Sequence, residues 1–145
     1  MSKKMILSGR ILSGVMVAFL LLDGIMHITN IAPVVDASTR LGLPVSLAPA
    51  LGVLELACVA LYVLPRTSVL GAILLTGYLG GAVAIHLRAG SPLFGEALFP
   101  VYVGILLWGG LYLREPRLRA LILRAQPVPA AEAPQPGFHA AAVQL

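Results

Sequence analysis

Four apolar runs, parted by short breaks rich in proline, glycine or charge, account for most of the chain. Residues 11–22 carry no charge, and beyond Asp23 the apolar character resumes to residue 28, which predicts a first span over about 6–28. A helix needs roughly 20 such residues to cross a bilayer. Residues 30–44 are too polar to span, and there Asp36 reads as the N-cap and Gly42 as the stop of a short helix. Ser46 reads as the N-cap of a second span over about 47–64, with Pro49 in the first turn, where a missing N–H is harmless. The break Pro65-Arg66-Thr67-Ser68 is so short that the second span and a third, over about 69–87, must form an antiparallel hairpin. Arg88, Gly90, Ser91 and Pro92 end the third. A fourth apolar run covers about 98–113, short for a full crossing unless residues 94–97 extend it, which gives a span over about 95–113. The predicted fold class is all-α, an integral membrane four-helix bundle formed by residues 1–125. Residues 126–145, dense in proline and poor in periodic apolar positions, are expected to be a disordered cytoplasmic tail.

Composition supports a membrane setting, since 59% hydrophobic against 11% charged residues departs far from a soluble domain. The net charge of +4 does not point to nucleic acid, because Lys and Arg stand in clusters beside apolar runs and form no stripe. They sort by side instead. Lys3, Lys4 and Arg10 stand before or at the start of the first span, Arg66 sits between the second and third, and Arg114, Arg117, Arg119 and Arg124 follow the fourth. The other two loops hold only Arg40 and Arg88, near Asp36 and Glu96. The positive-inside rule then places both termini in the cytoplasm. Val35-Asp36-Ala37 could pass for a signal-peptide cleavage site, but it lies too far beyond the apolar stretch. The single cysteine, Cys58, excludes an intrachain disulfide or a dithiol redox pair, and is expected simply to pack.

Helical periodicity assigns faces. On the first span Leu12, Met16, Phe19, Asp23, His27 and Asn30 share a side; on the second Ala48, Leu51, Gly52, Glu55, Cys58, Val59 and Tyr62 do. On the third, Ala72, Thr76, Gly80 and Ala84 recur every fourth residue with Gly77 and Gly81 beside them, a stripe that lets backbones approach closely. It predicts either a central position in the bundle or a homodimer face.

Ionisable groups inside apolar spans are the candidate chemistry. Asp23, His27, Glu55 and His86 all fall in the outer half of the predicted bundle, with Glu55 about 12 Å below its outer end. In the bland reading Asp23 pairs with His27 and Glu55 is a neutral hydrogen-bonding group that glues helices. In the functional reading they form the polar end of a small-molecule cavity. Spacing does not establish that His86 converges with the others. Haem or metal is disfavoured at this stage, because one histidine per helix is a weak signal and convergence is not visible in spacing.

The series Leu41-Gly42-Leu43-Pro44, Leu51-Gly52-Val53-Leu54-Glu55-Leu56, Leu64-Pro65-Arg66-Thr67 with Leu70-Gly71-Ala72, and Ala84-Ile85-His86-Leu87-Arg88 resembles the DoxX-like membrane proteins over about residues 8–114. The resemblance implies a four-helix integral membrane protein, usually bacterial and thus of the inner (cytoplasmic) membrane, mostly without an assigned activity. The family's name derives from a subunit of a thiosulfate:quinone oxidoreductase, so it implies quinone as a ligand class. It carries the family's second-span glutamate onto Glu55 and its third-span histidine onto His86. Where many relatives have lysine near the end of the first span, this chain has Asp23-Gly24-Ile25-Met26-His27.

No motif in the sequence dictates a reaction. The function expected is therefore a membrane subunit whose outer-leaflet cavity takes a quinone or lipid-like apolar ligand, with the bilayer as its surrounding partner. Two alternatives are a membrane enzyme using Glu and His acid–base chemistry on an apolar substrate, and an assembly or chaperone-like partner of other membrane proteins acting through the Gly77–Gly81 face.

Overall fold

The structure, a computed structural model, describes residues 3–123, so the tail over 126–145 lies outside the described residues. It is all-helical. Helix α1 is Lys3–Ile28, α2 is Ala32–Arg40, α3 is Ala48–Val63, α4 is Ser68–Arg88, α5 is Phe99–Arg114 and α6 is Pro116–Leu123. A 3-10 turn, Val45–Leu47, leads into α3, and a π turn, Leu93–Ala97, leads into α5. With these turns included, four stretches are long and apolar enough to cross a membrane: Lys3–Ile28, Val45–Val63, Ser68–Arg88 and Leu93–Arg114.

The helix ends follow local chemistry, with two departures from expectation. Helix α2 begins at Ala32 with Pro33 in its first turn, so Asp36 lies inside the helix instead of capping it. Proline's fixed φ and absent N–H favour that first turn more strongly than an aspartate four residues later favours a restart. Gly42 does end α2, at φ +67°, with its N–H bonded to Thr39 O and that of Leu43 to Ser38 O. Gly90 ends α4 in the same way, at φ +70°. Ser46 caps nothing, because the 3-10 turn takes it in and Leu47 occupies the N-cap position of α3; Pro49 stands in the first turn as expected.

The four long helices form a ring in which α1 packs on α3 and α5, and α4 packs on α3 and α5. Neighbours run antiparallel: Gly24 of α1 lies against Gly52 and Leu56 of α3, while Ser13, three turns earlier on α1, meets Tyr62, near the end of α3. The bundle therefore has two distinct ends, one carrying α2 and the other carrying α6. Its interior is a layer of Leu20, Val59, Leu75, Val103, Leu107 and Leu111, whereas Leu7, Ile11, Val15 and Leu22 point outward and exposed. Apolar side chains on both inside and outside are what a bilayer solvent permits.

In hydrocarbon, helices are drawn together by packing and hydrogen bonds, since burying leucine from lipid gains little. Both devices are present. Glycine allows close approach at Gly9, Gly24, Gly52, Gly71 and Gly110, where an added Cβ would strike a neighbouring helix. The stripe on α4 expected to do this does not: Ala72 is buried, but Thr76, Gly77, Gly80, Gly81 and Ala84 are exposed, and a Cβ on any of the three glycines would meet nothing within 4 Å. The inward face of α4 is instead Ser68, Gly71, Ala72, Leu75 and Leu79.

The hydrogen bonds centre on Tyr62, which is wholly buried. Its hydroxyl donates to the Leu107 carbonyl at 2.8 Å, so the Ser13 hydroxyl, 3.0 Å away, donates to it. Arg114 donates to the Tyr62 carbonyl at 2.9 Å and lays its guanidinium over the ring, 4.6 Å from the centroid. Gly71 gives the Tyr62 backbone room against α4. All four spans are thus tied together in the α6 half.

Candidate functional site

The α2 half is hollow where the α6 half is tied. Its polar residues are brought together by the mutual approach of Gly24 and Gly52: a Cβ on Gly52 would lie 2.5 Å from the Gly24 carbonyl oxygen and 2.9 Å from His27 Cβ. With α1 and α3 this close, Asp23, His27 and Glu55 each offer a ligand atom within 4.8 Å of those of the other two. On α1, Asp23 and His27 are one turn apart. His27 Nδ1 lies 3.0 Å from the backbone carbonyl of Asp23 and 3.4 Å from its Oδ2. A carbonyl can only accept, so Nδ1 is the donor in this bond, and in the neutral ring Nε2 is then the acceptor.

Glu55 has no exposed surface at all. The Tyr78 hydroxyl, from α4, donates to its Oε2 at 3.2 Å. Its other oxygen, Oε1, is buried with no hydrogen-bond partner among the described residues. Such an orphan is costly, because a buried polar atom loses its water without replacement.

These groups form one end of a cavity of about 430 Å³. Its walls are apolar, with Phe19 and Leu20 from α1, Leu51 from α3, and Phe99 and Val103 from α5. Phe19 and Phe99 meet edge to face at 5.8 Å. On the α4 side, Gly77 and Gly81 leave the space open, while Tyr78, Ala82 and His86 follow one another at four-residue steps along the wall. The face that carries Tyr78 thus brings His86 into the same cavity, as periodicity around the small-residue stripe did not indicate. His86 is not part of the Asp23, His27 and Glu55 cluster. Its Nδ1 lies 3.0 Å from Ser91 Oγ and 3.8 Å from Glu96 Oε2.

The segment around α2 closes the far side with Ala37, Leu41 and Leu43. It is held by Arg88, which donates to the Leu41 carbonyl at 3.0 Å, and by the Arg40–Glu96 pair at 3.9 Å. A second hollow, about 460 Å³ between α4 and α5, is lined by Gly80, Gly104 and Trp108 and contains no ionisable group. Trp108 Nε1 donates there to Thr76 Oγ1 at 2.8 Å. The ionisable residues therefore line the first cavity and not the second.

The sequence reading named all four ionisable residues of this cavity but not Tyr78. A tyrosine in mid-span, with its apolar ring and one polar atom, carries no charge to draw attention.

Residues 11–110 match the DoxX-like family, a stretch that begins within α1, ends within α5 and contains every polar residue of the cavity. No curated protein and no solved structure matches the chain.

Proposed function

The chain belongs to the DoxX-like family and carries four candidate membrane spans, and from this we propose that it is a membrane binding protein for an apolar molecule with a polar head. The carrying observation is the cavity of about 430 Å³ whose lining is mostly apolar and includes the cluster of Asp23, His27 and Glu55. Ligand pockets have this size and this distribution, apolar area giving affinity and a few placed polar groups giving orientation. A quinone or a lipid-like molecule fits both requirements. Its carbonyl or hydroxyl head would meet Glu55, Tyr78 and the Asp23–His27 pair, and its tail would run past Phe19 and Phe99. His86 would border the head region from the other end of the α4 wall.

The charge distribution supports an orientation for this site. Lys3, Lys4, Arg10, Arg66, Arg114, Arg117 and Arg119 lie at the α6 end, and only Arg40 and Arg88 at the α2 end. With the α6 end in the cytoplasm, the cavity opens in the outer half of a bacterial inner membrane.

The test is retention. The full chain is purified in mild detergent, and apolar molecules carried with it are extracted and identified by mass spectrometry. Wild type should retain one class of molecule near one per chain, and Glu55→Gln should lose most of it while remaining monodisperse. Equal retention by both, or none by wild type above that of an unrelated membrane protein, would refute the reading. Acid–base catalysis on the same molecule is a second reading, favoured by the approach of His27 to Glu55 within reach of one substrate. It predicts that His27→Gln abolishes turnover of the identified ligand but spares its binding.

A further inference from the structure

We propose that Asp23, His27 and Glu55 hold a first-row divalent metal ion at the polar end of the cavity. Three separate features of the cluster point to it. First, one ligand atom from each residue lies within 4.8 Å of the other two, so a single ion placed among them can reach all three with small side-chain movement. Second, Glu55 Oε1 is buried and unpartnered among the described residues, a free acceptor on a side chain that belongs to the cluster. Third, His27 Nδ1 is engaged by a backbone carbonyl at 3.0 Å, the kind of support that metal-binding histidines use for the ring nitrogen that does not ligate.

Charge leads to the same place. Two carboxyl groups share a site whose surroundings are apolar, and no Lys or Arg side chain reaches either of them among the described residues. A divalent cation would neutralise both at once and satisfy the orphan oxygen. Tyr78, donating to Oε2 at 3.2 Å, would hold the Glu55 carboxylate with Oε1 directed to the ion. One imidazole and two carboxylates without thiolate suit Zn²⁺, Mn²⁺ or Fe²⁺. Three protein ligands leave a coordination position open toward the cavity, as in catalytic zinc sites. The binding reading above supplies what would fill that position, the carbonyl or hydroxyl head of the apolar ligand, and the inference rests on that reading for this step only.

The experiment uses Co²⁺, whose visible d–d absorption reports coordination, on the purified full chain after chelator treatment. One Co²⁺ per chain should bind, with intensity typical of four- or five-coordination, and excess Zn²⁺ should abolish the band. Glu55→Gln and Asp23→Asn should each weaken binding at least about ten-fold, while Glu115→Gln, between α5 and α6 at the other end of the bundle, should leave it unchanged. Asp23→Asn also guards against a Glu55 variant that fails to fold. No band in wild type, or equal bands in wild type and both cluster variants, overturns the proposal. Metal uptake without retained apolar ligand would sink the cavity reading and leave the ion; retained ligand without metal would do the reverse.

Discussion

The Gly24–Gly52 contact is the joint on which the candidate site depends, and Gly52→Ala tests it with one methyl group. The new Cβ would stand 2.5 Å from the Gly24 carbonyl oxygen, where ordinary van der Waals contact begins at 3.4 Å. About 0.9 Å, the difference between these distances, must be found by separating α1 from α3. The obstacle is backbone, not a flexible side-chain tip, and His27 Cβ and Ile28 Cγ1, both 2.9 Å away, close off the sideways escape. Overpacking of this kind costs about 1–3 kcal/mol. Replacing a helical glycine by alanine gains up to about 1 kcal/mol in propensity, so the control is Gly81→Ala. That residue is also inside a helix but meets nothing within 4 Å. The propensity gain cancels between the two, and Gly52→Ala should be the less stable by about 1–3 kcal/mol. Reversible unfolding in mixed micelles of mild detergent and SDS, followed by circular dichroism, measures the difference. The variants proving equally stable, or Gly81→Ala proving the weaker, would refute the helix faces assigned here. Pushing α1 away should also draw Asp23 and His27 from Glu55, so Co²⁺ binding should weaken along with stability.

Tyr78→Phe removes the hydrogen bond that Glu55 Oε2 accepts from α4. It should lower stability by about 1–3 kcal/mol and reduce ligand retention, both read on the purified protein. Tyr62→Phe deletes the bonds to Ser13 and Leu107 at the other end. Interhelical bonds in membranes average about 0.6 kcal/mol each, so it should cost about 1 kcal/mol in the same unfolding assay and leave ligand retention intact. For orientation, a membrane-impermeant maleimide should label Ser46→Cys from outside intact cells and Arg66→Cys only after the membrane is opened; the opposite pattern would invert the topology. Native Cys58 is buried and should give no background in the folded protein.

Where the sequence was legible, one property sufficed. The apolar runs gave the four spans, and the inward face of α3 followed from periodicity: Ala48, Gly52, Glu55, Cys58, Val59 and Tyr62 are all buried. A lone carboxylate in an apolar helix marks the protected side, because only there can it avoid lipid. Of the two readings of the α4 stripe, the central position in the bundle fails for the same reason the stripe was noticed. Small residues show that something can come close, but in a chain apolar on every side, periodicity does not say what. The close contacts rest on glycines scattered over α1, α3, α4 and α5, at spacings that form no repeat. Gathering Asp23, His27 and Glu55 needs the separation of two helices, a quantity that no single-helix periodicity contains. The membership of His86 depended likewise on the cavity's being wide enough for a flank of α4 to line it.

The knot at Tyr62 has an evolutionary corollary. A bundle fastened along its whole length would have to refit its packing whenever a polar residue in its interior changed. Here one half has its ties gathered on a single side chain, where Ser13, Leu107, Arg114 and Gly71 converge. The other half is held by the Gly24–Gly52 contact and by separate bonds around its hollow, such as that of Tyr78 to Glu55. An exchange of one polar residue there is judged as much by what the hollow then accepts as by how the helices assemble.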